Sequence, residues 1–114
     1  MTNIAFYIGE TWTIQGTAVD ADGVPMNLTG GSVEFRVASD TAGVLKALSP
    51  ADIAIDTGTG GTYTLTIAAT DSRQTSLVAG DYTYEVDAVD ASNAVSVQNR
   101  GKLTLKKSLR ALYP

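Results

Sequence analysis

The sequence predicts an all-β fold in which two pleated sheets pack face to face. Residues 82–88 alternate apolar and polar side chains, a period of two that is typical of a strand with one buried face. Alternating runs of this kind, about seven in all, recur with turn residues roughly every ten positions. The chain of 114 residues has 11 glycines and no cysteine. It is therefore expected to form one domain held by packing and backbone pairing alone.

The first half of the chain predicts short strands separated by turns. Residues 1–9 are expected to form either a first strand or an arm that pairs with a neighbouring subunit, since Ile4, Phe6 and Ile8 share one side. The only tryptophan, Trp12, is expected to face inward from the second strand, and the Asp and Gly of residues 20–25 favour a turn. The strands predicted here are residues 3–8, 12–19, 33–37 and a short edge strand at 44–48.

The second half predicts two further strands, a helical turn and two long strands. The glycine-rich residues 56–61 favour a hairpin connection. Alternation breaks at residues 70–77, where one short helical turn capped by Thr70 or Asp71 is expected. The last strand is expected to carry Val95, Val97, Leu103 and Leu105, with a bulge at Arg100–Gly101. The strands predicted here are residues 53–55, 63–67, 82–88 and 95–105, which end the β-sandwich at residue 105.

Charge is unevenly distributed along the chain. Before Arg100 there are three bases and all twelve acids, a net charge of −9, whereas from Arg100 onward there are five bases and no acid, a net charge of +5. An acidic body would repel phosphate, so no nucleic-acid partner is expected. No apolar run approaches the length of a membrane span and no secretory signal pattern begins the chain, so neither membrane insertion nor export is expected.

Residues 80–84 resemble the tyrosine corner of immunoglobulin domains. Gly80 and Tyr82 have the spacing of that corner, and Tyr84 stands where a cysteine would be. The chain lacks the cysteine pair of antibody domains, and its tryptophan comes early. The resemblance therefore implies the architecture alone, an immunoglobulin-like Greek-key β-sandwich of about seven strands.

Three motifs resemble the small immunoglobulin-like domains of tailed bacteriophages, such as the N-terminal domains of baseplate upper proteins. They are residues 9–12 continuing into 16–30, residues 33–37, and residues 77–86 with their ending at 101–105. Together they span nearly the whole chain. The resemblance implies a virion structural protein without catalytic activity, made in the bacterial host cytoplasm and contacting other virion proteins and copies of itself.

No residue pattern predicts a catalytic, cofactor or metal site. The chain has no histidine, the commonest general base. Glu85 and Asp87 are expected to be solvated charges on the outward face of a strand rather than an acid/base pair. Residues 20–23 begin like a calcium loop but lack its later ligands, so a plain turn is expected. The run Gly58–Gly61 lacks the lysine and the helix of a phosphate-binding loop.

The two ends of the chain are the predicted partner-binding residues. The C-terminal tail, residues 106–114, combines bases with Leu109, Leu112 and Tyr113, and side chains of this kind need a covering surface. We expect the N-terminal arm, the tail or both to dock on neighbouring subunits, the tail's positive charge meeting an acidic body. The alternative is a carbohydrate- or cell-surface-binding module, which needs exposed aromatic rings. The predicted contact residues are Phe6, Tyr7, Lys106, Lys107, Leu109, Arg110, Leu112 and Tyr113.

Overall fold

The computed structural model describes residues 3–107, which contain eight strands and one helical turn. The all-β class and the helical turn within residues 70–77 are confirmed, with eight strands where about seven were predicted. In chain order the elements are β1 (Ile4–Ile8), β2 (Trp12–Thr17), β3 (Ser32–Ala38), β4 (Gly43–Leu48), β5 (Ile53–Thr57), β6 (Thr62–Ile67), α1 (Ser72–Thr75), β7 (Gly80–Val89) and β8 (Val95–Lys107).

The strands form two sheets with the core between them. One sheet has five strands in the order β1-β8-β7-β3-β4, and the other has three in the order β2-β6-β5. The chain changes sheet between β1 and β2, between β2 and β3, between β4 and β5, and again between β6 and β7. These crossings give the Greek-key connectivity of an immunoglobulin-like sandwich, as predicted.

Strand β1 belongs to the same sandwich as the rest of the chain. It pairs parallel with β8, from Ile4 opposite Leu103 to Ile8 opposite Lys107. Ile4 and Phe6 pack against the core. Of the two predicted alternatives, a strand or an arm on a neighbour, residues 4–8 therefore form a strand of their own domain. Strand β8 itself continues two residues into the predicted tail.

The core is built from the inward side chains that the alternation predicted. Trp12, Phe35 and Tyr84 are at most 1% exposed. The Trp12 ring stacks on Phe6 with the ring centroids 5.0 Å apart and the planes 6° apart. Its indole Nε1 donates a hydrogen bond to the Tyr7 carbonyl oxygen at 2.9 Å. Trp12 therefore attaches β1 to the core both by stacking and by a hydrogen bond.

The bulge in β8 lies at Gln98, so its predicted position at Arg100–Gly101 was wrong. Val86 pairs with Asn99 but Asp87 pairs with Val97, which leaves Gln98 as the extra residue. One inserted residue reverses which face each side chain occupies. Leu103 and Leu105 are consequently buried as predicted, whereas Val95 and Val97 are 64% and 57% exposed on the outer face.

The Gln98 side chain explains where the bulge forms. Its Oε1 accepts a hydrogen bond from the Val19 N–H at 2.7 Å, and its Nε2 donates one to the Val19 carbonyl at 3.0 Å. The amide thus satisfies both backbone groups of the residue that follows β2 by two positions. Gln98 attaches β8 to the segment that follows β2 by this pair of bonds.

The connection from β6 to β7 is fixed by α1 and by the tyrosine corner. Asp71, one of the two predicted caps, accepts a hydrogen bond from the Arg73 N–H at 2.9 Å. The Tyr82 hydroxyl donates to the Val78 carbonyl oxygen at 2.8 Å, which is the backbone bond typical of such a corner.

Gln74 of α1 is a fully buried polar residue at the centre of a backbone network. Its Oε1 accepts from the Gly9 N–H at 2.7 Å, and its Nε2 donates to the carbonyl oxygens of Glu10 at 2.8 Å and Ala68 at 3.1 Å. Gly9, with φ of 98°, forms the turn between β1 and β2. One side chain therefore holds that turn against α1.

Arg73 ties the same helix to the loop between β4 and β5. Its guanidinium donates two hydrogen bonds to Asp52, at 2.7 and 2.8 Å, and two to Asp71, at 2.7 and 3.1 Å. It also donates to the Lys46 carbonyl oxygen at 3.0 Å. The bonds to the two aspartates hold the pKa of Asp71 at about 2 and lower the pKa of Asp52. A hydrogen bond from the guanidinium favours the ionised form of a carboxylate.

Candidate interaction surface on the five-stranded sheet

The predicted partner-binding residues that the structure describes lie along the β1–β8 edge. Tyr7 is 43% exposed, and the Lys106 Nζ sits 5.8 Å from the centroid of its ring. Lys107 is exposed at the end of β8. Phe6 is half-buried against Trp12, so it contacts its own core. The remaining predicted contact residues, Leu109, Arg110, Leu112 and Tyr113, lie outside the described residues.

A second surface lies on the outer face of the five-stranded sheet, and the sequence did not predict it. Two cross-strand rows meet there. One runs through Leu48, Glu34, Asp87 and Val97, and the other runs through Lys46, Arg36, Glu85 and Arg100. Residues directly opposite one another have side chains about 5 Å apart. We call Glu34, Arg36, Leu48, Glu85, Asp87 and Val97 the outer-face patch.

Arg36 is the cation at the centre of the outer-face patch. Its guanidinium pairs with Glu34 and, at 3.0 Å, with the Asp87 carboxylate. Glu85 lies directly opposite Arg36 on β7, yet no base among residues 3–107 comes within ion-pair distance of it. Lys46 and Arg100 lie in the same cross-strand row as Arg36 and Glu85, so the two rows together carry three acids and three bases.

Asp87 is only 6% exposed, so the expectation that it is a solvated surface charge was wrong. It lies on β7, a central strand, and its side chain is flanked by Glu34 and Val97 on the neighbouring strands. Its Oδ2 accepts from Arg36, but its buried Oδ1 has no hydrogen-bond partner. Burial raises the pKa of Asp87 to about 6, and Glu85, which would share the proton, reinforces the shift.

Exposed apolar side chains lie at both ends of the Asp87 row. Leu48 on β4 is 40% exposed and Val97 on β8 is 57% exposed, with Val95 at 64% two residues further along the same face. The patch thus combines one buried carboxylate, partly exposed charged neighbours, and apolar side chains at both ends of the row. The sequence carries one signal of it, since Glu34–Phe35–Arg36 and Glu85–Val86–Asp87 alternate charge and core residue on two neighbouring strands.

An open depression of about 570 Å³ lies beside the patch on the same sheet face. Its rim includes Asp81 and Lys102, whose charged groups are 3.9 Å apart, and also Arg100 and Thr83. Both signs of charge are exposed here and no apolar wall encloses the space. The depression extends the polar surface next to the patch and does not form a closed ligand pocket.

The acidic turn at residues 20–23 uses its carboxylate to shape the backbone. Asp20 Oδ1 accepts hydrogen bonds from the N–H groups of Asp22 at 2.9 Å and Val24 at 3.0 Å, and Gly23 takes φ of 79°. The predicted plain turn is confirmed. Among residues 3–107 no three acidic side chains are placed to hold a metal ion, and no helix is long and apolar enough to cross a membrane.

No known family of proteins matches this chain when it is scanned against family models, and a search of curated proteins gives no match either. The function is therefore inferred from the chemistry of the outer-face patch and from the sequence motifs.

The raised pKa of Asp87 predicts a dependence of stability on pH. Folded Asp87 keeps its proton up to about pH 6, whereas an unfolded aspartate releases it near 3.8. The folded state binds more protons between these values, so this contribution to the free energy of unfolding is lost as pH rises from about 4 to 7. The Asp87→Asn variant has a neutral side chain of the same shape. From about pH 4 to 7 its free energy of unfolding should therefore decline by up to about 3 kcal/mol less than that of the wild type.

The test is chemical denaturation of the wild type and of Asp87→Asn at pH 4 to 8. The difference between their free energies of unfolding is then plotted against pH. Asp71→Asn is the matched control, because the lowered pKa of Asp71 places its own window below about pH 4, where stability falls as the carboxylate is protonated. A constant difference between Asp87→Asn and wild type from pH 4 to 7 would contradict the prediction.

Proposed function

We propose that this protein is a non-catalytic structural component of a phage virion, in the tail or baseplate or as decoration on the capsid. It acts through subunit–subunit contacts with other virion proteins and with copies of itself. The observation that carries the contact role is the outer-face patch, in which exposed Leu48 and Val97 flank the buried carboxylate of Asp87. The place in a virion rests on the resemblance of the three sequence motifs.

A contact role suits the composition of the patch. A central anchor that loses its water on binding, surrounded by apolar area, is the usual arrangement of an interface core. Asp87 is already desolvated and has one unused acceptor. The buried carboxylate and the exposed Leu48 and Val97 therefore give this face both the charged centre and the apolar area of such an interface core.

Catalysis is a weaker interpretation of the same residues. The three carboxylates spread over a sheet face instead of converging on a cleft, and Arg36 neutralises two of them. The chain also has no histidine to move protons near neutral pH. The groups gathered here are suited to recognition of charge.

The alternative of a carbohydrate-binding module finds less support. Sugar platforms need flat aromatic rings open to solvent. Of the aromatic side chains within residues 3–107, Tyr7 at 43% is the one that is exposed. Tyr82 is half-buried at its corner, and the others pack in the core or against it.

The proposal is tested on phage particles purified from the source strain. Quantitative mass spectrometry should find the chain in intact particles at a fixed ratio to the major structural proteins. Hydrogen exchange should then show slower exchange in β3 and β7 for the particle-bound chain than for the free chain. A chain that stays in the soluble fraction while particles assemble would refute the virion role.

A further inference from the structure

Strand β2 leaves one side of the three-stranded sheet without a neighbouring strand. It pairs with β6 alone. The Ala18 N–H donates to the Gly61 carbonyl oxygen at 2.8 Å and continues that register, so the even-numbered residues of β2 bond β6 and the odd-numbered residues point the other way. The N–H and C=O groups of Thr13, Gln15 and Thr17 therefore lie on the open side, where no group in the described part of the chain bonds them. We call these three residues the β2 edge.

The edge of the five-stranded sheet at β4 is closed, in contrast, by hydrogen bonds from outside the sheet. The Leu48 N–H donates to the Asp52 carboxylate at 3.3 Å, and the Leu48 carbonyl oxygen accepts from the Asp52 N–H at 2.9 Å. Arg73 donates to the Lys46 carbonyl oxygen at 3.0 Å. A further strand could pair here only by breaking these bonds, which protects the edge.

The outer strands β1 and β5 are protected in other ways. At β1 the Tyr7 carbonyl oxygen already accepts from the Trp12 indole at 2.9 Å. Strand β5 is interrupted by a bulge between Ile55 and Thr57, and bulges turn an edge away from regular pairing. Strand β2 has neither device, and its six residues include no charged residue and no proline. It is therefore the sheet edge best suited to accept a further strand.

The length of the β2 edge fixes how a strand can pair with it. Beyond Thr17, both backbone groups of Val19 are taken by the Gln98 side chain, and β2 begins only one residue before Thr13. The free stretch thus has Gln15 at its centre. A strand of the same sequence, placed antiparallel, puts Gln15 opposite Gln15 and Thr13 opposite Thr17. Each residue of the edge can then exchange two backbone hydrogen bonds with its counterpart.

Resting on the proposed contact between copies of this chain, we infer that the β2 edge pairs with the β2 edge of a second copy, about a two-fold axis at Gln15. The three-stranded sheets of the two copies then form one continuous sheet. The side chains suit this pairing on the outer face, because Thr13 of one copy meets Thr17 of the other and cross-strand threonine pairs are favourable. No like charges meet, since β2 has none.

The inner face of the same strand supplies apolar contact. Ile14 is only half-buried, and a cavity of about 240 Å³ between the two sheets reaches Ile14, Gln15 and Ile4. The core is therefore incompletely covered along this side. In the two-fold arrangement Ile14 lies opposite Gly16 of the second copy, so the Ile14 side chains of both copies come to the junction and lose exposed apolar area.

The experiment is sedimentation equilibrium of full-length charge variants at position 15, alone and mixed. Gln15 is exposed on the outer face, so both variants should fold. Gln15→Lys places two lysines opposite one another across the axis, and Gln15→Glu places two glutamates there. Each variant alone should self-associate about fivefold more weakly than wild type, because like charges directly opposite one another are destabilising. An equimolar mixture should associate more strongly than either variant alone, since each lysine then meets a glutamate.

Two further variants isolate the backbone contribution. Gln15→Pro removes an N–H that points to the open side, and proline is tolerated at such positions of an edge strand. The domain should stay folded by circular dichroism while association falls by about tenfold. Gln15→Thr is the matched control, because it keeps the N–H and an uncharged side chain, and it should associate like wild type. In the wild type, amide exchange at Thr13, Gln15 and Thr17 should slow as the protein concentration rises.

Three results would overturn the inference: a wild-type chain that stays monomeric up to its highest soluble concentration, charge variants that both associate like wild type, or a mixture no stronger than its components. These are separable from failure of the proposed function. A monomeric chain that is found in particles at a fixed ratio overturns the inference and leaves the proposed function in place. A chain that dimerises through Gln15 but is absent from particles has the β2 contact without the virion role.

Discussion

Replacing Gln74 with alanine is expected to lower the free energy of unfolding by about 3 kcal/mol. The side chain is fully buried and satisfies three backbone groups, the Gly9 N–H and the carbonyl oxygens of Glu10 and Ala68. Each buried backbone group that loses its partner costs about 1–3 kcal/mol, and water entering the vacated space recovers part of that. A loss of this size is a large fraction of the stability of a small domain.

Gln98→Ala is the matched control for this prediction. Gln98 also bonds a backbone N–H and a backbone carbonyl, both of Val19, but it is only half-buried. Water can replace those bonds, so a cost of about 1 kcal/mol is expected. Urea denaturation followed by circular dichroism gives both values, and hydrogen exchange at Gly9 should accelerate in Gln74→Ala alone. Equal losses in the two variants would show that burial of Gln74 is not what makes it important.

The strands were predictable because each buries one face. Alternation in residues 33–37, 63–67 and 82–88 marks side chains that must leave water, and burial of an apolar side chain is the largest local energy in a sheet. The turn at residues 20–25 was predictable for a similar reason, since Asp20 bonds its own backbone two and four residues later. These features depend on contacts between near neighbours in sequence.

The bulge in β8 was not predictable from the period of the strand. Val95, Val97, Leu103 and Leu105 all occupy odd positions, which favours one common face. The face changes at Gln98 because its side chain bonds Val19, 79 residues away in the chain. A contact between residues so far apart in the chain does not change the local alternation of apolar and polar residues. Val97 therefore flanks the outer-face patch, although its spacing from Leu103 and Leu105 favours the buried face.

Burial of Asp87 was missed for a related reason. The alternation correctly placed Glu85 and Asp87 on the outer face, but exposure on that face depends on the neighbouring strands. Asp87 lies on a central strand with Glu34 on one side and Val97 on the other. A carboxylate packed between side chains of both neighbouring strands loses its water even on the solvent side of a sheet. Only the strand order and register reveal such a site.

Replacing Trp12 with alanine is expected to lower the free energy of unfolding by about 4 kcal/mol, the largest loss among the changes considered. The ring is 1% exposed, so its removal leaves a cavity in addition to the lost apolar transfer energy. Two further contacts disappear with it, the stack on Phe6 and the hydrogen bond to the Tyr7 carbonyl. All of these hold β1 in place, so the β1–β8 edge should loosen first.

Trp12→Phe and Tyr7→Ala separate the parts of this effect in denaturation curves followed by far-ultraviolet circular dichroism. Phenylalanine keeps a ring against Phe6 but loses the indole N–H, so an intermediate loss of about 2 kcal/mol is expected. Tyr7 is 43% exposed, and its removal should cost less than about 1 kcal/mol. Accelerated exchange at β1 amides in Trp12→Ala but not in Tyr7→Ala would identify Trp12 as the residue that fixes the strand. Loss of stability without faster exchange at β1 would instead assign its role to the core alone.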